Sequence, residues 1–107
     1  MFAICLESSH SKGMGHLFRM LNFATYLKRQ NVNFIFVVNE DNILLKTLKK
    51  NNIFFITVDL KDPYLNWEDG IIKRYGIKYW INDRLDTSKQ HAKNVLNLDV
   101  KLITFDD

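Results

Sequence analysis

Phe2-Ala3-Ile4-Cys5-Leu6-Glu7-Ser8-Ser9-His10-Ser11-Lys12-Gly13-Met14-Gly15-His16-Leu17-Phe18-Arg19-Met20-Leu21 passes through three kinds of sequence in twenty residues. Phe2–Leu6 is a short, unbroken apolar run with no polar alternation, the pattern of a strand buried on both faces. Residues 8–15 are small, polar or glycine. From there Leu17, Met20, Leu21, Ala24 and Leu27 recur at three- and four-residue spacings, which line one face of a helix from about His16 to Gln30. A buried strand, a glycine-bearing loop and an amphipathic helix are the opening of a parallel α/β sheet.

The rest of the chain repeats this alternation. Apolar runs rich in β-branched and aromatic residues recur at Asn33–Val38, Ile53–Val58, Lys78–Asn82 and Val100–Phe105. Asp41 is placed to cap a second helix carrying Leu44, Leu45 and Leu48. A third helix, from Leu65 to Tyr75, is interrupted by Gly70 but keeps a stripe of Trp67, Ile71, Ile72 and Tyr75. Thr87 or Ser88 can cap a fourth, carrying Ala92, Val95 and Leu96. Five strands alternating with helices predict right-handed crossovers and a parallel sheet covered on both sides. The reading is a doubly wound, Rossmann-like α/β domain over residues 1–107, with strand order 3-2-1-4-5. Ligands of such sheets lie beyond the carboxyl ends of the strands where the winding reverses, here between the first and fourth. Function is therefore expected in the loops Glu7–Gly15 and Asn82–Asp86, with Asp106 and Asp107 nearby. No helix is predicted after the fifth strand to cover it, so the domain reads as part of a larger assembly.

Composition narrows the classes. The chain has 107 residues, 47% hydrophobic and 25% charged, the balance of one ordinary globular domain. Fifteen basic against twelve acidic residues leave a net charge of +3. Apart from Lys46, Lys49 and Lys50, which read as a solvated helix face, the basic residues are scattered, and no nucleic-acid surface is expected. The one cysteine, Cys5, lies inside an apolar run and reads as core, which suits a cytoplasmic protein without disulfides. No apolar stretch approaches the roughly 20 residues of a membrane span, and no basic leader precedes the first strand.

The loop after the first strand carries the chemistry. Gly13 and Gly15 permit positive φ and close approach of backbone to ligand, and the amides at the helix start favour an anionic group such as a diphosphate. The spacing does not fit the dinucleotide fingerprint, because its third glycine would fall at Phe18, and there is no Gly-Lys-Ser/Thr phosphate loop. His16 falls in the first helical turn, where the positive end of the helix dipole lowers its pKa and keeps the imidazole neutral. Two roles are open to it: a general base that takes a proton from water, or a group that bonds the loop. Arg19, one turn on, can bond a phosphate or carboxylate, or lock a loop carbonyl.

Gly13-Met14-Gly15-His16-Leu17-Phe18-Arg19, followed by Asn22, Ala24 and Leu27, resembles the Gly-x-Gly-His-x-x-Arg signature of the UDP-sugar hydrolases of pseudaminic acid biosynthesis. It is similar also to the related spore coat polysaccharide biosynthesis proteins. Trp80-Ile81-Asn82-Asp83-Arg84 and Lys101-Leu102-Ile103-Thr104-Phe105-Asp106-Asp107 look like the same family's fourth- and fifth-strand blocks. The resemblance covers the whole chain but only the N-terminal half of a two-domain, glycosyltransferase-B-like architecture. It implies hydrolysis of a UDP-linked 2,4-diacetamido-2,4,6-trideoxyhexose: water attacks the anomeric carbon, UDP leaves, and no metal or cofactor takes part. His16 would be the base. Gly13, Met14, Gly15 and Arg19 would meet the diphosphate, and Asn82, Asp83 and Arg84 the substrate. A C-terminal domain or a partner chain would complete the cleft. Where the family commonly has Asp-His-Tyr after the fourth strand, this chain has Asn82-Asp83-Arg84, which bears on sugar specificity and on activity. His10 has no counterpart and reads as a solvent-facing loop residue.

Two other functions fit the same residues. In a glycosyltransferase half the loop would bind an acceptor and His16 would deprotonate its hydroxyl; in a noncatalytic module the domain would dock on a chain that supplies the nucleotide site. Asp83, Asp86, Asp106 and Asp107 could gather for Mg²⁺, but strand-end carboxylates more often cap helices or bond loop amides. A phosphoacceptor domain of this class needs acidic residues directly after the first strand and a lysine after the fifth, whereas this chain has Glu7 followed by serines and ends in aspartates. Three histidines and one cysteine show no zinc spacing. The aromatics Tyr64, Trp67, Tyr75, Tyr79 and Trp80 read as core and interface, with sugar stacking a lesser role for Trp80.

Overall fold

A computed structural model of the chain describes residues 1–7, 15–59, 67–83 and 100–104; at positions 15, 16, 83 and 104 the description is of backbone alone. In chain order the elements are β1 (Phe2–Leu6), α1 (Gly15–Arg29), β2 (Phe34–Val38), α2 (Asn42–Lys50), β3 (Phe55–Thr57), α3 (Trp67–Tyr75), β4 (Tyr79–Asp83) and β5 (Lys101–Thr104). The strands form one five-stranded sheet in the order β3-β2-β1-β4-β5, and all four pairings are parallel. The expected architecture is the observed one. The fourth predicted helix and Phe105 lie outside the described residues.

The strands are apolar throughout because each face meets its own layer. Ile4, Leu6, Phe36, Val38 and Ile81 pack with Leu17, Met20, Ala24 and Leu27 of α1 and Leu44 and Leu48 of α2. The alternate residues Ala3, Cys5, Ile35, Val37 and Trp80 pack on the other face with Ile71 and Ile72 of α3. Period-two alternation of side chains thus feeds two cores, which is why no polar residue alternates in β1 or β2. Asp41 caps α2 as expected, its carboxylate accepting from the Leu44 amide at 3.0 Å. Lys46, Lys49 and Lys50 are exposed. Gly70 does not break α3, which runs through it.

One device ends each described helix. Asn31, Asn52 and Gly76 take left-handed backbone, with φ of 58°, 56° and 64°. The amide of the next residue then reaches back five positions: Val32 to Leu27 at 3.0 Å, Ile53 to Leu48 at 3.0 Å and Ile77 to Ile72 at 3.1 Å. This is the Schellman arrangement, which satisfies carbonyls left open in the last turn and brings two apolar side chains together. Each such pair joins the helix end to the core, and the next strand begins two residues later, at Phe34, Phe55 or Tyr79. Asn is tolerated at two of the three left-handed positions because its short polar side chain makes that region less costly than for other L-residues.

Candidate functional site at the carboxyl edge

Register fixes which residues meet at the carboxyl edge. Leu6 pairs with Val38 on one side and Asp83 on the other, and Cys5 pairs with Asn82. Neighbouring strands lie about 4.8 Å apart, so the chain leaves β1 for the glycine loop directly beside the end of β4. α1 carries the chain away toward β2, whereas β4 lies on the opposite side of β1. The reversal of winding therefore falls between β1 and β4, as expected for a ligand crevice.

The amino end of α1 opens on this edge, because the helix follows the carboxyl end of β1 and returns antiparallel to it. Gly15 is its first residue and His16 its second. No acidic residue occupies the first turn, while Lys28 and Arg29 lie in the last. The positive end of the dipole is therefore not offset by a carboxylate of its own helix, whereas the negative end is offset by these two cations. Arg19 is exposed on α1 and engaged in interactions within the fold.

The predicted site residues divide by what the structure describes. The backbones of Gly15, His16 and Asp83 come to the carboxyl edge around the β1–β4 junction. Asn82, one position below that edge, is 1% exposed and shares the α3 face with Trp80. Gly13, Met14 and Arg84 lie outside the described residues, as do His10, Asp86, Asp106 and Asp107. Trp80 is fully buried, its ring 5.8 Å from that of Trp67. It is core, and no sugar can stack on it. Among the described residues no three His, Cys, Asp or Glu side chains gather to hold a metal, and no helix is long and apolar enough to cross a membrane.

One polar residue near this edge was not singled out from the sequence. Glu68, in the first turn of α3, is 1% exposed. α3 runs from the carboxyl to the amino edge, so Glu68 sits at the carboxyl end of the α3 layer, on the same sheet face as Asn82. A carboxylate is favoured at that helix terminus. Its spacing of three, four and seven residues from Ile71, Ile72 and Tyr75 is the signal that placed it on the buried stripe; its charge masked that signal. The hollows among the described residues lie elsewhere, one between α1 and α2 with Phe18, Lys28, Thr47 and Lys50, another beside α3 with Ile56, Trp67 and Arg74.

No protein-family model matches the chain. A protein of Methanocaldococcus jannaschii, described only as uncharacterized, is 35% identical over 107 residues, which is 98% of this chain and 21% of its relative. The chain thus spans about a fifth of the curated relative it matches. The crystal structure of a glycosyltransferase from Rickettsia africae ESF-5 matches with a TM-score of 0.74 at 19% identity, over 96% of this chain and 28% of that one. The chain therefore has the fold of one part of a glycosyltransferase.

Proposed function

We propose that residues 1–107 form the N-terminal domain of a two-domain, glycosyltransferase-B-like enzyme that acts on a nucleotide sugar, and that the reaction is hydrolysis. The observation that carries this reading is the position of the start of α1 at Gly15 and His16. These two residues open the helix, whose amino end faces the edge where β1 ends beside β4 at the reversal of winding. Helix-start amides and glycine backbone there would take the diphosphate of a UDP-linked 2,4-diacetamido-2,4,6-trideoxyhexose. His16 would accept a proton from the attacking water, a contribution typically worth about 10²–10⁴ in rate. Gly13, Met14 and Gly15, with Arg19, would offset charge developing on the departing UDP. Asp83 and Arg84 would face the sugar. Asn82, being buried, would hold the end of β4 in place rather than touch a ligand. The other domain, in the same chain or a partner, would bind most of the nucleotide.

A second reading rests on the structural match to a glycosyltransferase. The same loop would then receive an acceptor, and His16 would deprotonate its hydroxyl in place of water. The two separate by product. The complete protein is incubated in EDTA with UDP-diacetamido-trideoxyhexoses while UDP and free sugar are followed. Equal release of both, lost in His16→Ala with UDP affinity nearly unchanged, is the hydrolase result. UDP release only with an added acceptor is the transferase result. Equal losses of affinity and turnover in His16→Ala would remove His16 as the base.

A further inference from the structure

Basic residues that are scattered in the sequence gather at one edge of the sheet. Every described acidic residue lies toward the carboxyl edge, from Glu7 after β1 to Asp83 at the end of β4. At the amino edge, where helices end and strands begin, stand Lys28 and Arg29 of α1, Lys49 and Lys50 of α2, and Arg74 of α3. Lys78 precedes β4 and Lys101 opens β5 there. All these cations are exposed, and no described acidic residue shares their edge. Lys73 is paired with Asp69 at 3.2 Å and is not counted with them. Cations in a last helical turn complement the helix dipole, but Lys78 and Lys101 lie on no helix. Along a five-residue strand the two edges are about 16 Å apart, roughly two Debye lengths at physiological ionic strength. The acids therefore do not cancel the field at the basic edge.

We propose that the amino edge docks on an anionic lipid bilayer, with Phe54 entering the headgroup layer and the cations lying over acidic headgroups. Two observations select a bilayer. The first is the shape of the charged surface. Its cations come from the α1–α2 layer, from the strands, and from α3 on the opposite face of the sheet. They spread in two directions, over about 20 Å across the layers and about 19 Å across the five strands. A plane meets them all together, whereas a nucleic-acid backbone or an acidic peptide follows a stripe or a groove. The second is the aromatic rings among them. Phe54 and Tyr79 are 55% and 37% exposed. The Phe54 ring lies edge-on to Tyr75 at 5.9 Å, the Arg74 guanidinium is 5.5 Å from the Tyr75 ring centre, and the Lys101 ammonium is 6.0 Å from that of Tyr79. Exposed aromatics flanked by cations suit the boundary between headgroups and acyl chains. In this orientation the carboxyl edge faces away from the bilayer, so docking leaves the crevice open to solution. The proposal concerns a surface and does not depend on the reaction assigned above.

The test is sedimentation of the complete protein with vesicles of phosphatidylcholine, either alone or with about one third phosphatidylglycerol. Binding is expected only to the anionic vesicles and should fall steeply as salt is raised. Each lysine near an anionic surface raises the partition coefficient about five-fold. Combining Lys49→Gln, Lys50→Gln, Lys78→Gln and Lys101→Gln should therefore lower it about a hundred-fold or more. Each variant is first shown to melt like the wild type; should the quadruple variant fail to fold, Lys78→Gln with Lys101→Gln should still lower binding about twenty-five-fold. Phe54→Ala should lower it several-fold at every salt concentration. Glu40→Gln, exposed at the opposite edge, makes the net charge more positive and should leave binding unchanged. No binding to anionic vesicles, equal binding to both vesicle types, or neutralised variants that bind like the wild type would each overturn the proposal. Transfer of the protein from vesicles to mixed-sequence RNA at equal charge concentration would also overturn it, giving the edge to nucleic acid.

Discussion

The same substitution at two glycines six residues apart should change stability in opposite directions. Gly70 and Gly76 both have open space where a Cβ would stand, with nothing within 4 Å, so sterics with neighbours do not separate them. Backbone does. Gly70 lies inside α3 and is exposed, where Ala is better than Gly by about 0.8–1.0 kcal/mol. Gly76 has φ of 64°, a region that costs an L-residue about 1–2 kcal/mol. The narrower unfolded ensemble of Ala returns about 0.4–1 kcal/mol of that, leaving a net loss near 1 kcal/mol. For a domain of this size 1 kcal/mol corresponds to roughly 4–8 °C in Tm. Thermal and urea unfolding followed by circular dichroism should therefore show Gly70→Ala melting several degrees above the wild type and Gly76→Ala several degrees below. Gly76→Asn should lose less than Gly76→Ala, since Asn31 and Asn52 already occupy the equivalent positions after α1 and α2. A neutral Gly76→Ala, or shifts of the same sign at both sites, would refute the claim that backbone conformation decides them.

Asp41→Ala removes the carboxylate that accepts from the Leu44 amide and should cost about 0.5–2 kcal/mol in urea unfolding; no measurable loss would mean that water replaces the cap. Trp80→Ala empties a fully buried site against Trp67 and should cost about 3–5 kcal/mol, a large part of a stability of roughly 5–15 kcal/mol. Melting unchanged would contradict its place in the core. Glu68→Leu removes a buried carboxylate that interacts within the fold and should cost about 1–3 kcal/mol, with Glu68→Gln milder. A Glu68→Leu variant as stable as the wild type would show that the buried site has no need of a polar group.

The amino-acid sequence by itself determined the elements whose signals are local. Unbroken apolar runs such as Phe2–Leu6 and Phe34–Val38 mark strands buried on both faces. The spacing of Leu17, Met20, Ala24 and Leu27 marks α1, and Asp41 marks the start of α2. Alternation of strand and helix, with right-handed crossovers, then leaves few topologies, and the order 3-2-1-4-5 is one of them. The position of the glycine loop at the reversal follows from that order. Three features depended on tertiary structure, because burial is set by what lies across the sheet and not by residue type. Glu68 is charged yet covered, because its helix turns that side to the sheet. Asn82 is buried because one residue of register puts it on the α3 face beside Trp80. Tyr79 and Ile103 read as core and stand exposed, because α1 and α2 follow β1 and β2 to one side of the sheet and leave the same face of β4 and β5 without a helix among the described residues.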